Sequence, residues 1–308
     1  PSAVAEAIPW RQGERVVVFQ GEFPANVTSW RMAAEREGLE LVFVDLEPWQ
    51  RDHGEGLELL RQTLQGGARL VCISAIQFQT GLRMPLQEIA ALAHSHGAEL
   101  FVDGIQGVGC VPLDVWDMDI DYLACGGHKW LMGPPGAGFL YISPSSMERL
   151  DLYAAGWLSH EDGMGFLFDG PGLLRYDRPV RRKADFLEGG MPSLVSLTGA
   201  EAAIELIGQL GVPAIFEHTQ RYLDALEPQL VDRGFQSMRT AFGAGRSGSL
   251  CVRPPAGKSV VSMLPVLEAE GISASIPDGY LRFSPHWPNH PDEIPVVIQA
   301  IDKALAQP

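Results

Sequence analysis

Positive charge is what this chain is shortest of. Lys and Arg number 23 against 38 Asp and Glu, leaving a formal net charge of −15. Nucleic acids and anionic membranes are recognised through basic patches, so neither is expected as a partner. Cysteine is sparse too: Cys72, Cys110, Cys125 and Cys251 are scattered and show no CxxC spacing. That argues against a disulfide framework and a zinc site. Three of the four lie in or beside apolar runs that read as core strands, as buried thiols of a reducing cytosol would, so a cytoplasmic protein is expected. No apolar run is long enough to span a bilayer. The eight histidines do not make a metal set: His94 and His96 lie two apart near a helix end and point apart, while His286 and His290 share a proline-containing loop. There is no internal repeat and no low-complexity tract. Residues 243–248 satisfy GxGxxG but precede a strand instead of following one, and Gly257-Lys258-Ser259 has Val252 where a P-loop needs its first Gly; both read as turns.

What is present is an ordinary globular composition, 308 residues of which 46% are hydrophobic and 20% charged. That suffices for a large α/β core and a smaller second domain. Up to residue 98, strand patterns over 15–20, 39–44 and 69–74 alternate with helix patterns over about 26–37, 55–65 and 85–96. Gly38 and Gly97 stand where helix C-terminal glycines belong, and Pro85 suits a first helical turn. Such alternation builds parallel βαβ units. Residues 164–185 read as a loop, and 194–210 and 213–233 as helices. The rest reads as a small α/β domain with strands over 248–252 and 280–283, a helix over 260–270, and a last helix carrying Ile294, Val297, Ile298, Ile301 and Leu305 on one face. The expected organisation is a large domain over 1–193, connecting helices over 194–233 and a small C-terminal domain over 234–308. Pro1 opens within an amphipathic turn, and further chain is expected ahead of it.

The chemistry gathers in residues 99–142, where apolar runs at 100–102, 122–124 and 138–142 read as short buried strands. Asp103 ends the first run, Gly127-His128-Lys129 follows the second, and the stiff turn Gly133-Pro134-Pro135-Gly136 comes next. A lysine so flanked is badly placed for a solvated charge. Lysine pairs phosphate as a point charge and forms Schiff bases where desolvation lowers its pKa. Pyridoxal phosphate needs such a lysine, a carboxylate for its ring nitrogen and anion-binding groups for its phosphate. Asp103, Gln106, His128 and Lys129 can supply these in one place, because strand ends of an open α/β sheet converge on one crevice.

These residues also carry a resemblance. DGIQGVG followed by GGHKWLMGPPGAGFLY, with Lys129 placed 129 − 103 = 26 residues after Asp103, is similar to the active-site core of the class V aminotransferase family, fold type I of the pyridoxal phosphate enzymes. The segments Glu22-Phe23-Pro24-Ala25-Asn26, Ser74 to Gly81, AAGWLSHEDG, Glu188 to Ser193 and LRFSPHWPNHPDEI resemble further parts of that family, so that the likeness covers essentially the whole chain. It implies an α/β fold, with a mostly parallel sheet, helices on both faces and a small C-terminal α/β domain. It implies pyridoxal 5′-phosphate as cofactor, an amino acid as substrate, and a homodimer with its sites at the interface. Lys129 would hold the cofactor as a Schiff base and then move the substrate Cα proton, while Asp103 keeps the ring nitrogen protonated. Gln106 would hydrogen-bond the ring phenolate oxygen, His128 the phosphate, and Phe23 would stack on the ring. Gln77 is the candidate for lining the substrate side, Trp157 for walling the pocket, and Arg282 for holding the substrate carboxylate in its guanidinium fork. The 188–193 loop would reach the phosphate of the neighbouring subunit, with Met191 standing where the family usually has Thr.

The resemblance leaves the reaction type open. Class V transamination is expected, with a Cys-independent lyase or epimerase, or a truncated homologue without turnover, as alternatives. Cysteine desulfurases of the family carry a nucleophilic Cys near the carboxylate-binding Arg. Residues 271–282 contain none and Cys251 lies in an expected strand, which disfavours a persulfide mechanism. Relatives also have an N-terminal phosphate-binding segment; this chain is expected to begin just after it, with Ser2 as a remnant, and Gly126 replaces a phosphate-binding Ser. A nicotinamide oxidoreductase lacks support because no fingerprint follows the first strand.

Overall fold

The computed structural model describes residues 1–307. The chain enters through helix α1 (Ser2–Ala7), then lays down β1 (Arg15–Phe19), α2 (Ala25–Glu37), β2 (Glu40–Val44), α3 (Glu47–Arg51), α4 (His53–Leu64), β3 (Leu70–Ser74), α5 (Leu86–Ser95) and β4 (Glu99–Asp103). With β5 (Tyr122–Gly126) and β6 (Gly138–Ile142) these strands form one sheet in the order β2-β1-β3-β4-β5-β6. β1 to β5 run parallel, and β6 returns antiparallel to β5. The reversal follows from the connection: residues 127–137 are too few for a helical crossover, so they make a turn, and that turn carries Lys129.

Successive strand residues point to opposite faces, and both faces are covered. Val17, Phe19, Val71, Ile73, Leu100 and Val102 pack with Trp49, Leu60, Leu64 and Ile89 from α3, α4 and α5. Val16, Val18, Leu70, Cys72, Phe101 and Tyr122 pack with Val4 and Trp30 from α1 and α2. Two buried faces explain why the strands read as continuous apolar runs instead of alternating ones. The second helix expected from the sequence begins two residues early because the Asp52 side chain accepts the Gly54 N–H at 2.7 Å and the Glu55 N–H at 3.3 Å, capping α4 at His53. The short α3 before it lies outside that expectation.

The chain continues through α6 (Pro144–Met147), α7 (Gly165–Phe168), α8 (Leu194–Leu210), α9 (Val212–Val231), β7 (Gln236–Ser237), β8 (Leu250–Arg253), α10 (Val260–Ala269), β9 (Leu281–Phe283) and α11 (Ile294–Ala306). β7, β8 and β9 form a separate antiparallel sheet. One expectation changes here. α9 is no connector, because Tyr222, Leu223, Leu226 and Leu230 form one apolar stripe buried against Leu250, Leu267, Leu281 and Ile301, so this helix belongs to the small-domain core. Among the hydrogen bonds that seat that domain on the large one are Ser247 Oγ to the Gly81 carbonyl at 2.6 Å and the Gly248 N–H to Cys110 Sγ at 3.3 Å.

Polar groups are buried at the sheet end away from these contacts. Asp121 accepts from His94 Nε2 at 2.7 Å, Ser146 Oγ at 2.8 Å and the Leu100 N–H at 2.8 Å. The Asp121 hydrogen bond holds His94 above its ordinary pKa against the opposing effect of burial. Burial pushes the Asp121 carboxyl up, but those three hydrogen bonds outweigh it and leave the carboxyl below its ordinary value. The raised His94 contributes stability below about pH 6.5 and loses it as pH rises through its folded pKa; the lowered Asp121 contributes above about pH 4 and loses it as pH falls. His94→Gln is therefore expected to cost about 1 kcal/mol near pH 5.5 and little near pH 9, read from urea midpoints. A cost independent of pH would show that the pair does not titrate.

Candidate active site

The carboxyl ends of β1, β3, β4 and β5 open on the same side of the parallel sheet, where ligands of such sheets bind. Register sets Asp103 beside Ser74 on one flank and Ala124 on the other. Under this edge lies a buried carboxylate. Glu22 is 7% exposed and accepts the Ser74 N–H at 2.7 Å, Gln77 Nε2 at 2.9 Å, Asn26 Nδ2 at 3.1 Å and the Ser74 hydroxyl. Burial raises its pKa while these bonds pull it down. The network ties the end of β1 to the end of β3 and so fixes the neighbouring Phe23. Phe23 stays 44% exposed, edge-on to Phe78 with ring centres 5.4 Å apart, and Lys129 Nζ lies 5.5 Å from its ring centre.

Lys129 rides on a turn closed by Gly127 N–H to the Ala137 carbonyl at 2.9 Å, Met132 N–H to the Lys129 carbonyl at 2.8 Å and Gly133 N–H to the Gly127 carbonyl at 2.8 Å. Its neighbour Trp130 is the anchor, 5% exposed, with the indole N–H donated to Gln106 Oε1 at 3.0 Å. Two glycines make room for it. A Cβ on Gly248 would stand 2.5 Å from the indole, and one on Gly109, at φ +85°, would stand 2.9 Å from the Trp130 carbonyl oxygen. Lys129 itself is half-buried, and no hydrogen bond perturbs its amine among the described residues. Burial first and Arg282 second lower the amine pKa, against Asp103.

The partners of Lys129 are similarly incomplete. Asp103 is 8% exposed and accepts the Ile105 N–H at 3.0 Å through one oxygen. Burial pushes its carboxyl up, opposed by that hydrogen bond and by Lys129. Because an indole N–H only donates, the Gln106 atom it meets must be the amide oxygen, which leaves the amide N–H₂ to offer. Arg282, on β9, donates Nε to Ser275 Oγ at 3.0 Å and Nη1 to the Phe78 carbonyl at 2.7 Å. Burial lowers its pKa, and it has no carboxylate partner among the described residues.

Other expected site residues fall differently. Gln77 is 1% exposed, with Nε2 spent on Glu22 and Oε1 buried without a partner. Its N–H is bonded to the Leu82 carbonyl, and its bond to Glu22 makes it part of the network that joins the strand ends. His128 is exposed, beside Lys129. Trp157 meets Phe166 edge-on at 6.3 Å, Met191 is 65% exposed, and their segments are joined by the Leu158 N–H to the Gly189 carbonyl at 3.3 Å. The sequence reading missed Glu22 as a hub, Trp130 as an anchor, and the Phe78 carbonyl and Ser275 that aim Arg282. Only Trp130, next to Lys129, carried a signal that could have found it.

The aminotransferase class-V family model matches residues 2–275. A cysteine desulfurase of Escherichia coli O7:K1 (strain IAI39 / ExPEC) is 31% identical over 220 residues, 71% of this chain and 51% of that protein. A probable cysteine desulfurase of Chlamydia trachomatis serovar D is 31% identical over 274 residues, 88% of this chain and 64% of that protein. The chain thus spans about half the length of the first curated relatives it matches. Among solved structures, the cysteine desulfurase CsdA from Escherichia coli superposes with TM-score 0.83 at 26% identity, covering 98% of this chain and 75% of that one. The cystine C-S lyase C-DES in complex with cysteine persulfide gives TM-score 0.86 at 23% identity over 97% of this chain and 78% of that one.

Removing the buried hub tests this architecture. Glu22→Ala leaves the Ser74, Gln77 and Asn26 donors without their acceptor and is expected to cost about 3 kcal/mol in urea unfolding. A loss below about 1 kcal/mol would mean that the hub does not hold the strand ends together.

Proposed function

The chain belongs to the class V aminotransferase family, and on that premise we propose that it is a pyridoxal-phosphate enzyme that moves the α-proton of an amino acid with Lys129 and uses no protein thiol. The observation that carries this reading is a set of unspent groups around one crevice. They are the Lys129 amine, the second Asp103 oxygen, the Gln106 amide N–H₂ and the Arg282 guanidinium, which is held by Ser275 and Phe78 but has no carboxylate partner among the described residues. They suit, in turn, the aldehyde, the ring nitrogen and the phenol oxygen of the cofactor and the carboxylate of an amino acid. Pyridoxal phosphate, when bound, supplies an electrophilic aldehyde and an electron sink for the α-carbanion.

The residues' own tasks follow from their settings. Burial and Arg282 favour the neutral lysine, the form that accepts a proton. Asp103 would hold the ring nitrogen, Phe23 would pack on the ring, and Arg282 would take the substrate carboxylate. His128, and the 188–193 loop of a second copy, would hold the phosphate. All four cysteines are buried, and burial pushes Cys110, Cys125 and Cys251 up to about 12. None of these three is a thiolate nucleophile at neutral pH, which supports transamination over sulfur transfer to the protein. A second reading, a C–S lyase that uses no protein thiol, joins the likeness to cysteine desulfurases with the burial of all four cysteines.

A panel of amino acids separates the two readings. Transamination yields a 2-oxo acid with the amino form of the cofactor; lyase action yields pyruvate and ammonia, with sulfide from cysteine or cysteine persulfide from cystine. Lys129→Ala is expected to abolish the borohydride-fixable visible band and to lower turnover at least about 10³-fold. A variant that keeps both would remove the lysine from the chemistry. Arg282→Gln is expected to raise KM about 10- to 100-fold through loss of the carboxylate fork; an unchanged KM for every substrate turned over would assign the carboxylate elsewhere.

A further inference from the structure

The small domain meets the lysine turn with a histidine that the chemistry above does not use. His286 follows β9 in the same segment as Arg282. Its Nδ1 accepts the Trp287 backbone N–H at 2.7 Å, so the ring proton sits on Nε2, which donates to the Trp130 carbonyl at 2.9 Å. The ring lies against the Trp130 indole, with centres 5.1 Å apart. Its backbone is held as well: the His286 N–H donates to Asn289 Oδ1 at 2.9 Å, and the Asn289 carbonyl accepts from His218 Nε2 at 2.7 Å. Trp287 adds an indole N–H to Met132 Sδ at 3.1 Å. Residues 282–287 therefore grip the large domain at Phe78, Trp130 and Met132, and the last two belong to the turn carrying Lys129.

We propose that His286 is a positioning residue for Lys129: its bond to the Trp130 carbonyl holds the lysine turn against Arg282. The inference deepens the reading of Lys129 as the reactive amine and rests on it. With the bond in place the lysine stays under the influence of Arg282, which together with burial lowers its amine pKa. Without the bond, two cations are free to separate and the amine becomes more basic. Burial favours the neutral form of His286 by lowering its pKa, the bond to Trp130 opposes this only in part, and His218 from α9, the titratable neighbour acting on it, lowers it further.

Competitive acetylation of the full chain without cofactor, followed by peptide mass spectrometry, reads the Lys129 amine directly. H286F keeps a ring and loses both nitrogens, whereas H286Q keeps an N–H donor. At about pH 8, Lys129 in H286F is expected to label about three- to tenfold more slowly than in wild type, because more of it is protonated. H286Q should stay within about twofold of wild type, and the exposed Lys183 should not change. Wild-type labelling in H286F, or equal slowing in H286Q, overturns the proposal. Should H286F melt early, Asn289→Ala frees the His286 backbone and leaves its ring; slowed labelling there supports the proposal and unchanged labelling overturns it. Adding pyridoxal phosphate to wild type keeps the two readings apart, since absence of a visible band sinks the cofactor assignment while the labelling result stands.

Discussion

Two cations partly out of water, Lys129 and Arg282, the second acting on the first, set the demands that the rest of this structure meets. Arg stays protonated in any protein environment, so the cost of the pairing falls on the lysine, which is pushed toward its neutral form. Among the described residues neither cation has a carboxylate that neutralises it; Asp103 only moderates the lysine. Such an arrangement persists only where surrounding packing over-determines it. Arg282 is fixed by a carbonyl and a hydroxyl, and Lys129 by the neighbour that cannot move, Trp130.

The sheet makes the meeting possible. Parallel strands deliver the residues after β1, β3, β4 and β5 to a single edge, and register puts Asp103 beside Ser74. The short antiparallel return to β6 places the lysine turn at that edge. Glu22 then joins β1 to β3 below the crevice at the expense of burying a carboxylate, which the four donated hydrogen bonds offset. Arg282 arrives from a different core altogether. Its aim depends on how the small domain seats on Phe78 and Trp130, so site geometry and domain packing are one problem.

The thiols complete the chemical picture. Curated relatives are named cysteine desulfurases, yet Cys72, Cys110, Cys125 and Cys251 are all core residues here, and burial raises the pKa of each. A buried thiol behaves as a small apolar side chain. In this chain the cysteines are packing.

Much of the fold and of the site was legible in the primary structure. The strand and helix alternation, the lysine turn and the grouping of Asp103, Gln106 and Lys129 come from local patterns, apolar runs bounded by Gly, Pro and Asp with chemistry-bearing residues at strand ends, while Arg282 was singled out by the family resemblance of its segment. Each depends on neighbours within a few positions, which is what sequence periodicity records. What tertiary structure alone decided is which partners those side chains lack or find. Gln77 bonded to Glu22, α9 joined the small-domain core, and His286 reached the Trp130 carbonyl across 156 residues of chain. These outcomes depend on contacts between segments far apart in sequence, and burial, which decides whether a lysine is a surface charge or a neutral base, exists only once those segments have packed.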